Sequence, residues 1–160
     1  MPLQPDFRAY YHADLAELEQ MMFGLYAEDP EGESLTGEKI IATVDEFAQY
    51  LEKGRIVMFT VEQMIVGYGL VIVYWSNEHG GNILHIDELY VKPKWRGQGL
   101  ATQFLITLSE SEPATTKALQ LEVTPSNPRA LAYYRRLGFV PSSNTHLRIQ
   151  SDGLPIRGEL

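Results

Sequence analysis

The segment Lys92-Pro-Lys-Trp-Arg-Gly-Gln-Gly-Leu-Ala-Thr102 stands between a predicted strand, Ile83–Val91, and a predicted helix. Apolar residues at i, i+3, i+4 and i+7 indicate the helix, namely Ala101, Phe104, Leu105 and Leu108. A helix that begins here presents unpaired N–H groups and the positive end of its dipole, which suit a pyrophosphate. Gly97 and Gly99 let phosphate oxygens approach the main chain. Cations at positions 92, 94 and 96 reverse the local sign of charge, as an anionic ligand requires.

Two other phosphate-binding motifs do not fit this glycine loop. A Walker loop ends in Gly-Lys-Ser/Thr, whereas this loop continues as Leu100-Ala101-Thr102. A Rossmann fingerprint requires a third Gly or Ala at position 102 and an early parallel βαβ unit, whereas a predicted hairpin precedes this loop. A tight strand-to-helix turn without a ligand is the alternative interpretation of the six residues taken alone.

A second segment, Asn127-Pro-Arg-Ala-Leu-Ala-Tyr-Tyr-Arg-Arg-Leu-Gly-Phe139, follows the next predicted strand, Ala118–Val123. Asn127 is a favourable N-cap, and Pro128 suits the first helical position. Gly138 is placed to end the helix, because glycine adopts the left-handed conformation common after a last turn. The region from Ile83 onward therefore predicts strand, helix, strand and helix in succession.

The residues ahead of the loop predict two helices separated by an acidic loop. Asp14 and Glu17 have capping-box spacing, and Leu15, Leu18, Met22 and Leu25 share a helical face. Thr43 and Glu46 have the same spacing, which predicts a second helix that contains Phe47, Tyr50 and Leu51. The segment Glu28–Gly37 between them is acidic, contains Pro and Gly, and predicts a loop.

The predicted strands complete a mixed sheet. Phe7–Tyr11 suggests a short edge strand, and Arg55–Val61 and Met64–Tyr74 are separated by two residues, as in a hairpin. Phe139–Val140 and His146–Gln150 are candidates for two last strands. The predicted order is two early helices, then an antiparallel meander, then β-α-β-α-β. This order predicts the α+β class rather than a doubly wound sheet.

The composition is that of one ordinary domain, predicted to span residues 1–160, with 44% hydrophobic residues. There are no cysteines, which excludes disulfides, thiolate metal sites and a cysteine nucleophile, and the four histidines lack ligand spacing with carboxylates, so we expect no metal. A net charge of -8 argues against nucleic acid and suits a cationic partner. The first residues carry no apolar run, and stretches such as Gly69–Val73 are too short for a membrane span. We therefore expect a cytoplasmic protein that does not bind a membrane.

The two segments together resemble a known family. Arg96–Ala101 resembles the Arg/Gln-x-x-Gly-x-Gly/Ala acetyl-CoA loop of the GNAT superfamily of N-acetyltransferases, and Asn127–Phe139 resembles its second signature. The resemblance covers about Ile83 to Phe139. It implies a single α+β domain whose mixed, mostly antiparallel central sheet is splayed between the fourth and fifth strands, with helices on both faces. It also implies direct transfer of an acetyl group from acetyl-CoA to a primary amine of a small molecule or peptide, and by analogy a possible homodimer.

The predicted strand Ile83–Val91 changes phase in its middle. Apolar residues occupy the even positions 84 and 86 and then the odd positions 89 and 91, as a β-bulge near Asp87–Leu89 would produce. A strand buried on both faces is the alternative. The resemblance implies that CoA lies where this strand splays from Ala118–Val123. A bulge would free a backbone N–H, that of Leu89, for the thioester oxygen, and pantetheine would pair with the main chain of Leu89 and Val91.

The residues expected to contact acetyl-CoA belong to the end of that strand, the glycine loop, the first helical turn and the second cap. They are Leu89, Tyr90, Val91, Arg96, Gly97, Gln98, Gly99, Leu100, Ala101, Thr102 and Asn127. Asn127 also has the simpler role of capping its helix.

The resemblance implies that Tyr134 faces the CoA sulfur and acts as the general acid, with Tyr133 on a different helical face. An aromatic core residue is the alternative for Tyr134. Glu88 is the candidate general base because it lies near the predicted bulge. Asp87 and His85 are rivals, since a bulge changes which side chain faces the cleft, and for each of the three a solvated or salt-bridged group is the simpler interpretation.

Two segments are candidates for lining the acceptor side. Ala27–Glu33 holds four carboxylates in seven residues, and Tyr74–Gly81 is unusually aromatic and polar for a hairpin. Acidic groups together with Trp75 would suit a cationic amine, whereas a solvated loop and an ordinary glycine turn are the alternative. The rival function is a non-catalytic acyl-CoA-binding or sensor domain, and a nucleotide-binding domain is a third interpretation.

Overall fold

The computed structural model describes residues 3–30, 32–111 and 114–151. Within them, five strands form a central sheet in which they lie side by side in chain order. Its strands are β1 (Asp6–Ala9), β2 (Gly54–Val61), β3 (Met64–Ser76), β4 (Gly81–Val91) and β5 (Thr116–Leu121). The first four strands pair antiparallel with their neighbours, and β5 pairs parallel with β4. The prediction of a mixed, mostly antiparallel sheet is confirmed.

Four helices accompany the sheet in the described part of the chain: α1 (Leu15–Glu28), α2 (Gly37–Gln49), α3 (Leu100–Ser111) and α4 (Pro128–Arg136). Short 3-10 turns precede α1, at His12–Asp14, and α3, at Pro93–Trp95. Among the described residues, no helix has the length and apolarity needed to cross a bilayer.

The chain separates into two compact units, one that ends at Pro125 and one that begins at Ser126. The first contains the whole sheet with α1, α2 and α3, and the second contains α4. The prediction of one domain over residues 1–160 stays a prediction.

Helices cover both faces of the sheet in the first unit. On one face, α1 and α2 bury a core with alternate residues of the central strands: Leu18, Met21, Met22, Ile40, Val44, Ile56, Met58, Tyr68, Leu70 and Tyr90. On the other face, Phe104 of α3 stacks with Phe59 and Phe7, at centroid distances of 4.7 and 5.6 Å. The split follows from strand alternation, which sends Met58 and Phe59 to opposite faces.

The β2–β3 hairpin is confirmed, with Val61 paired to Met64 across the turn. Glu62 and Gln63 both have positive φ, 49° and 67°, the conformation of a tight two-residue hairpin turn.

The bulge predicted in β4 is confirmed and lies at Asp87. Leu70 pairs with Glu88 while the next residue, Val71, pairs with Ile86, so Asp87 has no opposite residue on β3. The extra residue changes the phase of the strand, and Glu88 therefore joins Leu70 on the face covered by α1.

The sheet also splays as predicted. β5 pairs with β4 only from Asn82 to Ile86, whereas β4 continues to Val91. The last five residues of β4 therefore have β3 on one side and, among the described residues, no strand on the β5 side.

Three local predictions about helix starts and strand ends were wrong. α2 begins at Gly37 after the N-cap Thr36, whose hydroxyl accepts from Lys39 N, so Thr43 lies inside the helix and its hydroxyl bonds the Lys39 carbonyl instead. α1 begins directly after Asp14, as predicted, but the Asp14 carboxylate accepts from Tyr11 N at 2.8 Å and makes no capping box with Glu17. β1 and β5 each lie one or two residues earlier than predicted.

The two predicted last strands, Phe139–Val140 and His146–Gln150, are also absent from the described residues. A strand forms only where its main chain finds a partner. Val140 and Leu147 are instead 84% and 93% exposed, so these two apolar side chains face solvent rather than a sheet.

Candidate active site

The open edge of β4 carries the main-chain groups of Leu89 and Val91. Lys92 N donates to Val66 O at 2.8 Å, so the amide of Lys92 faces β3. Because main-chain groups alternate sides along a strand, Leu89 and Val91 turn their N–H and C=O groups to the opposite edge. That edge has no β5 partner beyond Ile86. These main-chain groups are thus not paired with β5, and the pairing of pantetheine with Leu89 and Val91 stays a prediction.

The glycine loop joins this edge to α3. Gly97 and Gly99 have φ of 73° and 79°, and residues other than glycine adopt this backbone conformation only with strain. No heavy atom lies within 4 Å of a Cβ built on Gly97, and the nearest to Gly99 is Gln103 Nε2 at 3.8 Å. A Cβ at either position would therefore meet no close neighbour, so backbone conformation rather than space requires glycine here.

The first turn of α3 begins directly behind the glycines. Gln103 N donates to Gly99 O at 2.9 Å, which makes Gly99 the residue that opens the helix. The first-turn N–H groups, on Leu100, Ala101 and Thr102, have no acceptor within the helix itself, and the dipole places partial positive charge there. Leu100 is buried and anchors this turn to the core. The start of α3 thus has the main-chain geometry typical of anion sites, and its binding of a pyrophosphate stays a prediction.

Two of the three cations of the loop contact carboxylates of α1. Arg96 Nη2 lies 2.7 Å from Glu28 Oε1, and Lys92 Nζ lies 2.6 Å from Glu17 Oε2. Arg96 also donates from Nε to Val91 O at 2.7 Å. Arg96 therefore occupies a main-chain acceptor of the open β4 edge, and its charge is shared with α1.

Gln98 completes the loop and makes a structural contact. Its side-chain amide donates to Lys94 O at 3.3 Å across the loop. Tyr90, in contrast, is buried and turns its ring toward α1, with the Arg96 guanidinium 5.2 Å from the ring centroid. Tyr90 thus contributes to this site by packing.

Glu88 lies on the α1 side of β4 and accepts hydrogen bonds at both carboxylate oxygens. Tyr26 of α1 donates to Oε1 at 2.9 Å, and Tyr68 of β3 donates to Oε2 at 2.7 Å. Burial raises the pKa of Glu88 above its ordinary value, and nearby Asp87 adds to the rise, while the two tyrosine hydroxyls oppose it. A carboxyl whose pKa is raised in this way is a stronger base than an exposed one and suits proton abstraction near neutral pH.

The two rival bases have different surroundings. Asp87 is exposed at the bulge, and His85 Nε2 lies 3.6 Å from its carboxylate. His85 pairs in register with Gln120 of β5, in the part of β4 that is still covered by that strand. Only Glu88 of these three is held by two hydroxyl donors in the described structure.

Tyr134 lies in the second unit, in the second turn of α4. Burial and the neighbouring Tyr133 raise the pKa of its hydroxyl to about 12, so the hydroxyl keeps its proton at neutral pH. Its ring lies 5.6 Å from that of Phe139, edge to face. Gly138, with φ of 98°, turns the chain back so that Phe139 N donates to Tyr134 O at 3.1 Å. The predicted end of this helix is confirmed.

Asn127 has the capping role that its position predicts. Its side-chain oxygen accepts from Ala130 N at 3.1 Å, and Pro128 occupies the first helical position. A contact between Asn127 and the pantetheine arm stays a prediction.

The acidic loop proposed for the acceptor side is engaged by neighbours wherever it is described. Glu28 pairs with Arg96, Asp29 accepts from Thr124 at 2.8 Å, and Glu33 lies 3.4 Å from Lys39. Glu31 lies outside the described residues. The carboxylates of Glu28 and Asp29 thus stand at the end of α1, next to the last turn that carries Tyr26.

The aromatic hairpin Tyr74–Gly81 is partly held and partly exposed. Tyr74 donates to Gln120 Oε1 at 2.9 Å, and Ser76 and His79 contact each other across the turn at 2.9 Å. Trp75 is 63% exposed, so its ring is available to a ligand.

Sequence reasoning missed the two tyrosines that hold Glu88. Tyr26 stands four residues after Met22 on the predicted helical face. Tyr68 is two residues before Leu70 and lies on the same face of β3. Their polar contacts depend on the β3–β4 register, which the bulge at Asp87 shifts by one residue. The phase change of the apolar residues in β4 predicts the bulge, but it does not predict which side chains contact Glu88.

Residues 14–139 match the model of the acetyltransferase (GNAT) family, which is well over half of the chain. The match contains α1 to α4, β2 to β5 and the glycine loop. The chain therefore belongs to the GNAT family of acetyltransferases.

Known relatives agree with this membership. A thialysine N-epsilon-acetyltransferase from Bos taurus is 36% identical over 75 residues, which are 46% of this chain and 44% of that protein. The chain thus matches less than half the length of this curated relative.

Solved structures of the same fold cover nearly all of the chain. A possible acetyltransferase from Clostridium difficile 630 has a TM-score of 0.80 at 21% identity, covering 91% of this chain and 97% of that one. An aminoglycoside N-acetyltransferase in complex with CoA has a TM-score of 0.75 at 14% identity, covering 94% and 97%. At these identities the likeness establishes the fold.

Proposed function

We propose that the protein is an acetyl-CoA-dependent N-acetyltransferase that moves an acetyl group directly to a primary amine of a small molecule or peptide. The observation that carries the proposal is the open edge of β4 at Leu89 and Val91, which runs directly into the glycine loop and the start of α3. Family membership and the N-acetyltransferase names of the relatives support the same reaction.

The donor side is assigned to main-chain groups. The N–H groups at the start of α3 would bind the pyrophosphate of acetyl-CoA, and glycines at 97 and 99 would allow its approach. The edge groups of Leu89 and Val91 would pair with pantetheine in the manner of an added strand. The Arg96 guanidinium would break its hydrogen bond to the Val91 carbonyl and contact the phosphates instead, since both interactions need the same group.

Acetyl transfer needs a neutral amine, a donor for the thioester oxygen, and a proton for the departing sulfur. Glu88 is assigned to take the proton from the amine, because its pKa is raised by burial. The N–H of Leu89 is assigned to the thioester oxygen, and Tyr134 to the sulfur, with a proton that its raised pKa retains. Atoms balance when the amine proton passes to Glu88 and the tyrosine proton passes to CoA sulfur.

The acceptor is assigned to the class of cationic amines. Glu28 and Asp29 end α1 beside Tyr26, and Trp75 is exposed on the β3–β4 hairpin. The name of the Bos taurus relative denotes transfer to an ε-amine, which is a primary amine of this class. Charge and cation–π contact favour such acceptors over neutral ones.

Thermal unfolding with acetyl-CoA, CoA, ATP and NAD tests the donor. At 100 times its dissociation constant a ligand stabilises a protein by about 2.7 kcal/mol, so we expect acetyl-CoA and CoA alone to raise the midpoint. Thiol release with a panel of amines then tests the reaction. Binding without turnover on any amine would indicate the non-catalytic acyl-CoA sensor instead, and no stabilisation by acetyl-CoA would contradict both functions.

A further inference from the structure

Both oxygens of the Glu88 carboxylate are occupied by phenol hydroxyls that come from different elements. Tyr68 reaches Oε2 from β3 at 2.7 Å, and Tyr26 reaches Oε1 from the last turn of α1 at 2.9 Å. Each carboxylate oxygen keeps a second lone pair, so an amine can give its proton to Glu88 directly or through one of the two tyrosine hydroxyls.

The two tyrosines differ in exposure. Tyr68 is 0% exposed and packs beside Tyr90, with ring centroids 6.2 Å apart. Tyr26 is only partly buried and lies two residues before Glu28, at the end of α1 that faces the acidic loop. Oε2 is thus held by a fully buried residue, and of the two tyrosines only Tyr26 has exposed surface that a substrate could contact.

The charged and titratable groups around the pair are few in the described structure. Tyr26 comes from α1, Tyr68 from β3, and Asp87 and Tyr90 from β4. Burial and the Glu88 carboxylate raise the pKa of Tyr26, so its hydroxyl stays protonated and points its hydrogen at Oε1. The Tyr26 hydroxyl oxygen can then accept a hydrogen bond from a second donor while it donates to Glu88.

We infer that Tyr26 is the proton relay between the acceptor amine and Glu88. The N–H bond of the amine breaks as an O–H bond forms at Tyr26, and the original O–H bond of Tyr26 breaks as one forms at Glu88 Oε1. The phenol is regenerated in the same step, so no tyrosinate accumulates. Tyr68 is a positioning residue that keeps Oε2 fixed. This inference rests on the proposed function, because it needs an amine acceptor and Glu88 as the base.

The geometry favours a relay over simple displacement of Tyr26. Displacement would take from the Tyr26 hydroxyl its charged acceptor, and a hydrogen bond to a charged group contributes more than one between neutral groups. A relay keeps both hydrogen bonds of Glu88 in place and uses the 2.9 Å contact between Tyr26 and Glu88 as it stands.

The test compares Tyr26→Phe, Glu88→Gln and the double variant by thiol release over a range of pH, with Tyr11→Phe as an exposed tyrosine control. General-base catalysis contributes about 100-fold or more, so each single variant should lose about that factor in kcat/KM. The kcat/KM of the double variant should be no more than about threefold below that of either single variant. Both changes interrupt the same proton path, so their effects should not multiply. Thermal unfolding with acetyl-CoA verifies that each variant folds and binds the donor.

Tyr68→Phe separates a relay from mere support of the carboxylate. Removing its hydroxyl takes away a hydrogen bond that lowers the pKa of Glu88, so the acid limb of kcat/KM should move to higher pH. Its loss at the plateau should be at least about tenfold smaller than that of Tyr26→Phe. Full activity of Tyr26→Phe, or losses that multiply in the double variant, would overturn the relay while leaving the acetyltransferase in place. No turnover by the wild type on any amine would instead overturn the proposed function.

Discussion

Gly24 of α1 lies so close to Tyr90 of β4 that a Cβ at position 24 would come within 2.7 Å of the Tyr90 hydroxyl oxygen. Glycine inside a helix costs about 1 kcal/mol relative to alanine, so its presence here has a packing reason. The close approach of α1 to β4 places Tyr26, two residues later, over Glu88. One small residue thus supports the geometry of the candidate base.

Gly24→Ala should therefore destabilise the protein in spite of its better helix propensity. Tyr90 is buried against Tyr68, so overpacking by one methyl group costs about 1–3 kcal/mol and outweighs the propensity gain. We expect a net loss of about 1 kcal/mol in the free energy of unfolding, measured with urea. Gly37→Ala is the matched control, because its Cβ meets nothing within 4 Å, and it should be neutral or stabilising. Equal effects of the two changes would contradict the packing argument.

Gly97→Ala should weaken the binding of acetyl-CoA more than it weakens the fold. Its φ of 73° strains any other residue by about 1–2 kcal/mol, and relief of that strain moves the main chain of the loop. We expect acetyl-CoA to bind about tenfold more weakly, as measured by calorimetry, since one 1.4 kcal/mol change alters affinity tenfold.

Gly80→Ala is the control for this change, because Gly80 has a φ of 65° and also no atom within 4 Å of its Cβ. It should lower stability by a similar amount and leave the affinity for acetyl-CoA within about twofold of the wild type. A loss of affinity as large as that of Gly97→Ala would indicate that general destabilisation, and not the loop, determines binding.

The parts of the fold that local chemistry determines were predictable from the sequence. The hairpin followed from two strand patterns separated by two residues, and the start of α4 followed from Asn127 and Pro128. The bulge followed from the phase change in β4, because each face of a strand buries alternate residues.

The parts that tertiary contacts determine were not predictable. Thr36 and Thr43 are both acceptable N-caps, and the helix takes the earlier one because Ile40 and Val44 are buried against the sheet. His146–Gln150 was a candidate strand, but no rule of local pattern supplies the partner that a strand requires. The tyrosine pair on Glu88 joins positions 62 and 20 residues apart, a separation that only the folded register reveals.

Asp14→Asn should remove a pH-dependent part of the stability. The carboxylate receives two hydrogen bonds from Arg8, at 2.7 and 2.9 Å, and these hold its pKa below the usual value although burial opposes them. A group with a depressed folded-state pKa stabilises the protein above its unfolded pKa of about 3.9, and the effect is lost as the pH falls through the folded value.

We therefore expect Asp14→Asn to cost about 2–3 kcal/mol at pH 6, the range for hydrogen bonds to charged groups in a buried pair. The difference from the wild type should shrink as the pH falls below about 4, measured by urea unfolding from pH 3 to 7. Asp45→Asn, an exposed carboxylate on α2, should change stability by less than about 0.5 kcal/mol. A cost for Asp14→Asn that does not vary with pH would assign the effect to packing rather than to the charge.

Tyr134→Phe should slow acetyl transfer without weakening the binding of CoA. The hydroxyl has a pKa raised to about 12, so it carries a proton for the departing sulfur throughout the usual assay range. A thiol of pKa about 8.5 is a fair leaving group, and we expect a fall in kcat of about tenfold or more rather than complete loss. Because the pKa is raised, ionisation of Tyr134 should not reduce kcat until the pH approaches 12.

Tyr133→Phe is the matched control, since it removes the adjacent phenol hydroxyl from the same helix, and its kcat should stay within about twofold of the wild type. Stabilisation by CoA in thermal unfolding should be the same for both variants, which separates chemistry from binding. An unchanged kcat for Tyr134→Phe would assign the tyrosine to packing against Phe139 and would leave water as the source of the proton. A loss of CoA stabilisation in that variant would assign the hydroxyl to donor binding instead of catalysis.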